Sequence, residues 1–141
     1  MVNLLARAAS VAMAAHLGQT RRDGKTPYIT HPKAVADLVE GDDAKMVALL
    51  HDVVEDTVVT MDDLKEFFPE NICQAIDAMS HRENESYLNY VLRLCKNDLA
   101  RKVKFADIAH NMFTLEDDGK TITRIRRERY EMALWILNNN V

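Results

Sequence analysis

Apolar residues recur at helical spacing along almost the whole chain, and no segment alternates apolar and polar residues with period two for long. That pattern excludes a sheet as the main way of burying a core. Four glycines and three prolines in 141 residues leave few places where helices are forced to break. The hydrophobic fraction of 48% supplies a real core, and a chain of this length buries roughly two thirds of its unfolded surface as one unit. The expected fold is therefore all-α: a single compact domain over residues 1–141, a bundle of about 7–9 helices.

The spacing predicts a first helix over Val2–Gln19, with Leu4, Ala8, Val11, Ala12 and Ala15 on its core face. Gly18 and the polar stretch Thr20–Thr30 form a loop carrying Arg21, Arg22 and Lys25, followed by a short helix over Pro32–Val39. Gly41-Asp42-Asp43 precedes a helix that runs through ALLHDVVEDT (Ala48–Thr57). Thr60 with Asp63 resembles a capping box for a helix over Met61–Phe67, and Pro69 opens the next, up to Met79. Further helices are expected over Ser86–Cys95, Asp98–Phe113 and Thr123–Asn138, with a turn at Glu116–Lys120.

The net charge of −4 argues against a general nucleic-acid binder, which is normally basic, but leaves room for a local basic pocket. No apolar run approaches membrane-spanning length, and the N-terminus lacks a signal-peptide pattern. Cys73 and Cys95 have no CxxC spacing and read as buried thiols in a reducing cytoplasm.

The run ALLHDVVEDT carries the chemistry. At 100° per residue, Met46, Val47, Leu49, Leu50, Val53 and Val54 occupy one arc of a helix, and His51, Asp52, Glu55 and Asp56 the opposite one. An imidazole beside a carboxylate can grip a metal ion, and carboxylates one turn later can act on a water, which outlines a metallohydrolase. An ordinary solvated face usually mixes in Lys, Arg or Gln; here Lys45 is followed only by acids and histidine. A second strip lies on the otherwise apolar Asp98–Phe113 helix, where Lys104, Asp107 and Asn111 fall on one side. Burying it without partners costs several kcal/mol. Spacing leaves a lysine–aspartate pair and metal ligation by Asp107 equally open. In PYITHP (Pro27–Pro32) two prolines stiffen the backbone around His31, which suits a ligand or a helix-capping histidine. His16 reads as packing beside the loop, His110 as close to the apolar arc, and His81 as part of a polar loop.

Taken together, AHLGQTRRDGKTPYITHP (Ala15–Pro32), ALLHDVVEDT, VKFADIAHNM (Val103–Met112) and RRERYEMAL (Arg126–Leu134) resemble, in family order, the HD-domain phosphohydrolases. The narrower likeness is to the hydrolase domain of RelA/SpoT-type proteins and the small stand-alone (p)ppGpp hydrolases. This resemblance implies that His31, His51, Asp52 and Asp107 bind one divalent metal, in this branch usually Mn²⁺. The mixed N/O set would also suit Fe²⁺, Zn²⁺, Co²⁺ or Ni²⁺. It implies that Glu55 and Asp56 are the catalytic acids and that Arg21 and Arg22 approach the phosphates. Lys104, Asn111 and Tyr130 match positions of the nucleotide pocket or the motif supporting it. The implied reaction is hydrolysis of (p)ppGpp at the 3′ position to pyrophosphate and GDP or GTP. Another nucleotide substrate (for a nucleotidase or an NADPH phosphatase) and a non-catalytic nucleotide-binding module are the alternatives. The expected partner is a small phosphorylated nucleotide, with neither DNA, RNA nor membrane. The connection at Gly41–Ala44 and the stretch Ser80–Tyr87 are shorter than in many relatives.

Overall fold

The computed structural model describes residues 3–139. Among them are nine helices: α1 Leu4–Ala15, α2 Thr30–Asp37, α3 Asp42–Leu50, α4 Val53–Asp56, α5 Met61–Lys65, α6 Glu70–Met79, α7 Tyr87–Leu94, α8 Asp98–Thr114 and α9 Thr121–Asn139. The all-α expectation holds. Val2, the first residue of the expected opening helix, lies outside the described residues.

Local sequence accounts for most helix ends. Asn3 caps α1 by accepting from the Ala6 amide at 3.1 Å, and Ser86 and Asn97 do the same for α7 and α8. Thr60 and Asp63 form the expected reciprocal capping box of α5. Pro69 stands just outside α6 as its N-cap rather than as its first residue. The first helix stops at Ala15, four residues before the expected end, because His16 to Gln19 turn into the loop.

The largest departure lies in the His-Asp segment. It is not one helix: α3 ends at Leu50 and α4 begins at Val53. The His51 ring donates from Nδ1 to the Ala48 carbonyl at 2.5 Å, and so competes for the acceptor that a continuous helix would give to the Asp52 amide. A simple division into apolar and polar arcs fails as well. Ala44 and Met46 to Leu50 are all buried, because α3 packs against α1, α2, α6 and α8.

Two hydrophobic clusters share α8. Ala100, Val103 and Ala106 join α1, α2, α3, α5 and α6 in the larger cluster, while Ile108 joins α7 and α9 in the smaller. Lys104 and Asp107 therefore sit on α8 where the two clusters meet, and both are buried. Phe113, the last residue of the helix expected to be largely apolar, is instead 89% exposed near the C-terminal end of α8.

Candidate metal centre and its cleft

Three helix segments deliver the acid and imidazole groups. His31 comes from the first turn of α2, His51 and Asp52 from the α3–α4 junction, and Asp107 from mid-α8. His31, His51 and Asp107 are 2%, 3% and 4% exposed. His31, His51 and Asp52 bring ligand atoms within 4.8 Å of one another. Asp107 Oδ1 approaches His31 Nε2 at 2.8 Å and His51 Nε2 at 3.3 Å. Asp52 Oδ2 lies 3.0 Å from His51 Nε2 and 3.8 Å from His31 Nε2.

The test of fit is His51 Nε2. It is buried and lacks a hydrogen-bond partner, although two carboxylate oxygens stand at contact distance. Its separations suit an N–H···O bond, but its alignment does not. His51 Nε2 thus faces both carboxylates without bonding either, as suits a nitrogen aimed at a cation, and two imidazole nitrogens with two carboxylates make a suitable N/O set. Because the Ala48 carbonyl can only accept, Nδ1 carries a ring proton, and in the neutral ring Nε2 is the inward-facing lone pair that a cation would take. This group could hold a metal ion.

Supporting contacts fix each carboxylate. The Tyr28 phenol donates to Asp52 Oδ2 at 2.6 Å. Lys104 Nζ donates to Asp107 Oδ2 at 2.8 Å, and Asn111 Nδ2 to Asp107 Oδ1 at 3.3 Å. His31 Nδ1 meets His110 Nδ1 at 2.7 Å, with the two rings stacked at 5.0 Å. Tyr28 and His110 are contacts that the spacing argument missed. Tyr28 was legible only as the aromatic one turn before His31 in PYITHP.

Electrostatics follow from these neighbours. Burial alone would raise Asp52 and Asp107, but His51 outweighs it for Asp52, holding that carboxyl at about 2. Lys104, His51 and His31 hold Asp107 well below the usual carboxylate range. Burial would likewise lower His51, yet Asp52 and Asp107 override it and raise the imidazole well above its ordinary value. The pocket demands positive charge. Burial, together with His31 and Arg21, pushes His110 down and favours its neutral ring.

Glu55 and Asp56 stand at the exposed edge of this floor. With Asp52 they form a second group of carboxylate oxygens within 4.8 Å, without an imidazole. Glu55 Oε1 accepts from the His81 amide, and Gln19 Nε2 donates to the Asp56 carbonyl at 2.8 Å. Burial is the main cause that raises both carboxyls, with Asp52 adding to it.

A cleft of about 420 Å³ opens over the floor. Arg21, Arg22, Lys104, Asn111 and Tyr130 all line it, along with His31, Asp52 and Asp107. The arginine loop is held in shape by Asp23, which accepts from the Lys25 and Thr26 amides, both at 2.8 Å, and by Gly24 at φ 71° in a left-handed turn. Arg21 reaches Asn111 Oδ1 at 3.2 Å and Thr114 Oγ1 at 3.3 Å. A neighbouring cleft of about 450 Å³ shares Arg21, Arg22 and Asn111 and adds His110 and Arg126. Of the five residues, Lys104 is the most committed internally, since Asp107 already takes its ammonium.

This helical bundle gathers histidines and aspartates beneath an arginine-lined cleft, and its class is that of the HD-domain proteins. A sequence model of the HD domain matches residues 8–112, and the chain belongs to the HD domain family. Among curated proteins it is 37% identical to the guanosine-3′,5′-bis(diphosphate) 3′-pyrophosphohydrolase of Haemophilus influenzae, covering 74% of this chain and 18% of that one. It is 33% identical to the bifunctional (p)ppGpp synthase/hydrolase SpoT of Escherichia coli, covering 92% of this chain and 21% of that one. The chain thus spans about a fifth of the length of these relatives. A solved structure described as a metazoan ortholog of SpoT that hydrolyzes ppGpp shares the fold, with a TM-score of 0.84 at 22% identity over 99% of this chain and 88% of the other. Among the described residues no helix is long and apolar enough to cross a membrane.

Proposed function

We propose that this chain is a metal-dependent phosphohydrolase that cleaves guanosine 3′,5′-bis(diphosphate) at its 3′ position. The observation that carries the reading is the convergence of His31 Nε2, His51 Nε2, Asp52 Oδ2 and Asp107 Oδ1 beneath a cleft lined by Arg21 and Arg22. The names of the curated relatives support the choice of substrate.

His31, His51, Asp52 and Asp107 would hold the ion, for which Mn²⁺ is the proposed occupant. When bound, a divalent cation supplies Lewis acidity to the attacking water and to a phosphate oxygen. Tyr28 orients Asp52, and Lys104 and Asn111 orient Asp107, so the donor set is fixed before substrate arrives. Arg21 and Arg22 take up charge on the pyrophosphate. Asn111 steadies Arg21 while Tyr130 forms part of the nucleotide wall.

Glu55 and Asp56 handle the protons. The His81 amide fixes one oxygen of Glu55 and leaves the other to accept a proton from water. Both carboxyls sit above their ordinary values, which suits groups that must first take a proton and then return it. Water attacks the phosphorus on the ribose 3′-oxygen and the P–O3′ bond breaks. Pyrophosphate leaves, and the ribose oxygen gains a proton to give GDP from ppGpp or GTP from pppGpp.

The test is to incubate Mn²⁺-loaded protein with ppGpp and a panel of nucleotide monoesters, following products by ³¹P NMR. Pyrophosphate from ppGpp is the expected result. Inorganic phosphate from the monoesters, with ppGpp untouched, would replace this substrate by another nucleotide. Binding of ppGpp without turnover or metal would make the chain a binding module.

A further inference from the structure

His110 is not among the four residues proposed as ligands, nor among the groups proposed to touch substrate. Yet its Nδ1 lies 2.7 Å from His31 Nδ1, and the two rings stack at 5.0 Å. Two ring nitrogens at that distance share one proton: one donates and the other accepts. His31 Nε2 faces inward, 2.8 Å from Asp107 Oδ1 and 3.8 Å from Asp52 Oδ2. For that nitrogen to offer a lone pair to a cation, the ring proton must sit on Nδ1 instead. Among the described residues, His110 Nδ1 is the contact in place to receive it.

We infer that His110 is the positioning residue of the metal centre, accepting from His31 Nδ1–H and so holding His31 in the tautomer that turns Nε2 toward the ion. His51 solves the same problem differently, donating Nδ1–H to the Ala48 carbonyl at 2.5 Å. A backbone carbonyl is an acceptor under all conditions, whereas the His31 ring relies on a side chain. The two inward imidazoles are thus oriented by partners of different kinds, and only the one on α2 can be edited by substitution. The i+3 step from Asp107 to His110 keeps both on one face of α8, so this helix supplies a ligand and the partner of another ligand.

This inference rests on the metal-centre reading above. Leucine and asparagine at position 110 separate the hydrogen bond from packing, because they match in shape and differ in polarity, and the asparagine oxygen falls close to where the histidine carries Nδ1. Mn²⁺ affinity is measured by calorimetry for the wild type, H110L and H110N, and each metal-free melting temperature is recorded. H110L is expected to bind Mn²⁺ about 10–100-fold more weakly, the usual cost of removing such a partner, and H110N to stay within a few-fold of wild type. Equal affinity in H110L and wild type overturns the inference, as does equal weakening in both variants. A second readout needs no variant: long-range ¹H–¹⁵N spectra of the Zn²⁺-loaded protein. These should show the proton of His31 on Nδ1 and that of His110 on Nε2, and the reverse assignment overturns the inference. A wild type that binds Mn²⁺ and cleaves ppGpp beside an unaffected H110L defeats the role of His110 alone. A wild type that takes up no ion defeats the reading beneath it.

Discussion

The floor of the cleft and the acidic rim beside it set the same carboxylate chemistry in opposite surroundings. Asp52 and Asp107 on the floor are packed among His31, His51 and Lys104, which outweigh the cost of burial and keep both carboxyls charged. Glu55 and Asp56 at the rim lack such cations in contact, and partial burial beside Asp52 raises them. In the proposed function the floor stays negative around a positive guest, and the rim exchanges protons. Three acids within two turns of one motif and a fourth on α8 thus differ according to what they touch, not what they are.

The sharpest way to break that division is to remove a floor imidazole. His51→Ala is expected to abolish Mn²⁺ binding and turnover together, with a loss of affinity beyond the ~10–100-fold that follows loss of an outer partner. Calorimetry and a pyrophosphate-release assay check both. An alanine variant that bound Mn²⁺ normally would erase the distinction between floor and rim.

Glu55→Gln probes the rim. It is expected to keep Mn²⁺ affinity and melting temperature while turnover falls by at least ~100-fold, the scale of general acid–base help. If the variant lost the ion instead, Glu55 would belong to the floor.

Acidity sharpens the comparison further. His51 is raised by the floor carboxylates, which favours its protonated ring in the ion-free protein, so a cation competes with that proton. Mn²⁺ affinity should therefore rise with pH toward the raised His51 value and fall in acid. Titrations in buffers of different ionisation enthalpy should show proton release at pH 7. The sign for stability is the reverse: a raised histidine stabilises the ion-free fold below its unfolded value, and that contribution is lost as pH climbs through the raised one. Melting temperatures of the ion-free protein across that range test it.

The smallest effect is expected from Tyr28→Phe, which deletes one donor to Asp52 and leaves the ring in place. Mn²⁺ affinity should fall by no more than ~10-fold, at the low end for an outer-shell partner, with turnover following it.

Much of this arrangement was legible in the sequence because it depends on local periodicity. Eight helical segments, with α3 and α4 read as one, the Thr60–Asp63 capping box and the polar strip Lys104–Asp107–Asn111 all follow from spacing. What escaped depends on pairs far apart in the chain or on competition between a side chain and the backbone. The break after Leu50 arises from the His51 ring taking the Ala48 carbonyl, which no hydrophobic period encodes. Tyr28 on Asp52, His110 on His31 and Gln19 on the Asp56 carbonyl join residues 24, 79 and 37 positions apart. Phe113 falls on the apolar arc by period yet is exposed, because the last turn of α8 reaches solvent.

The most direct test of the account is a crystal of this protein soaked in Mn²⁺ and measured for anomalous scattering. One peak is expected among His31, His51, Asp52 and Asp107, with all four in direct coordination. A peak elsewhere, or none at that position in an ion-saturated crystal, would contradict the account.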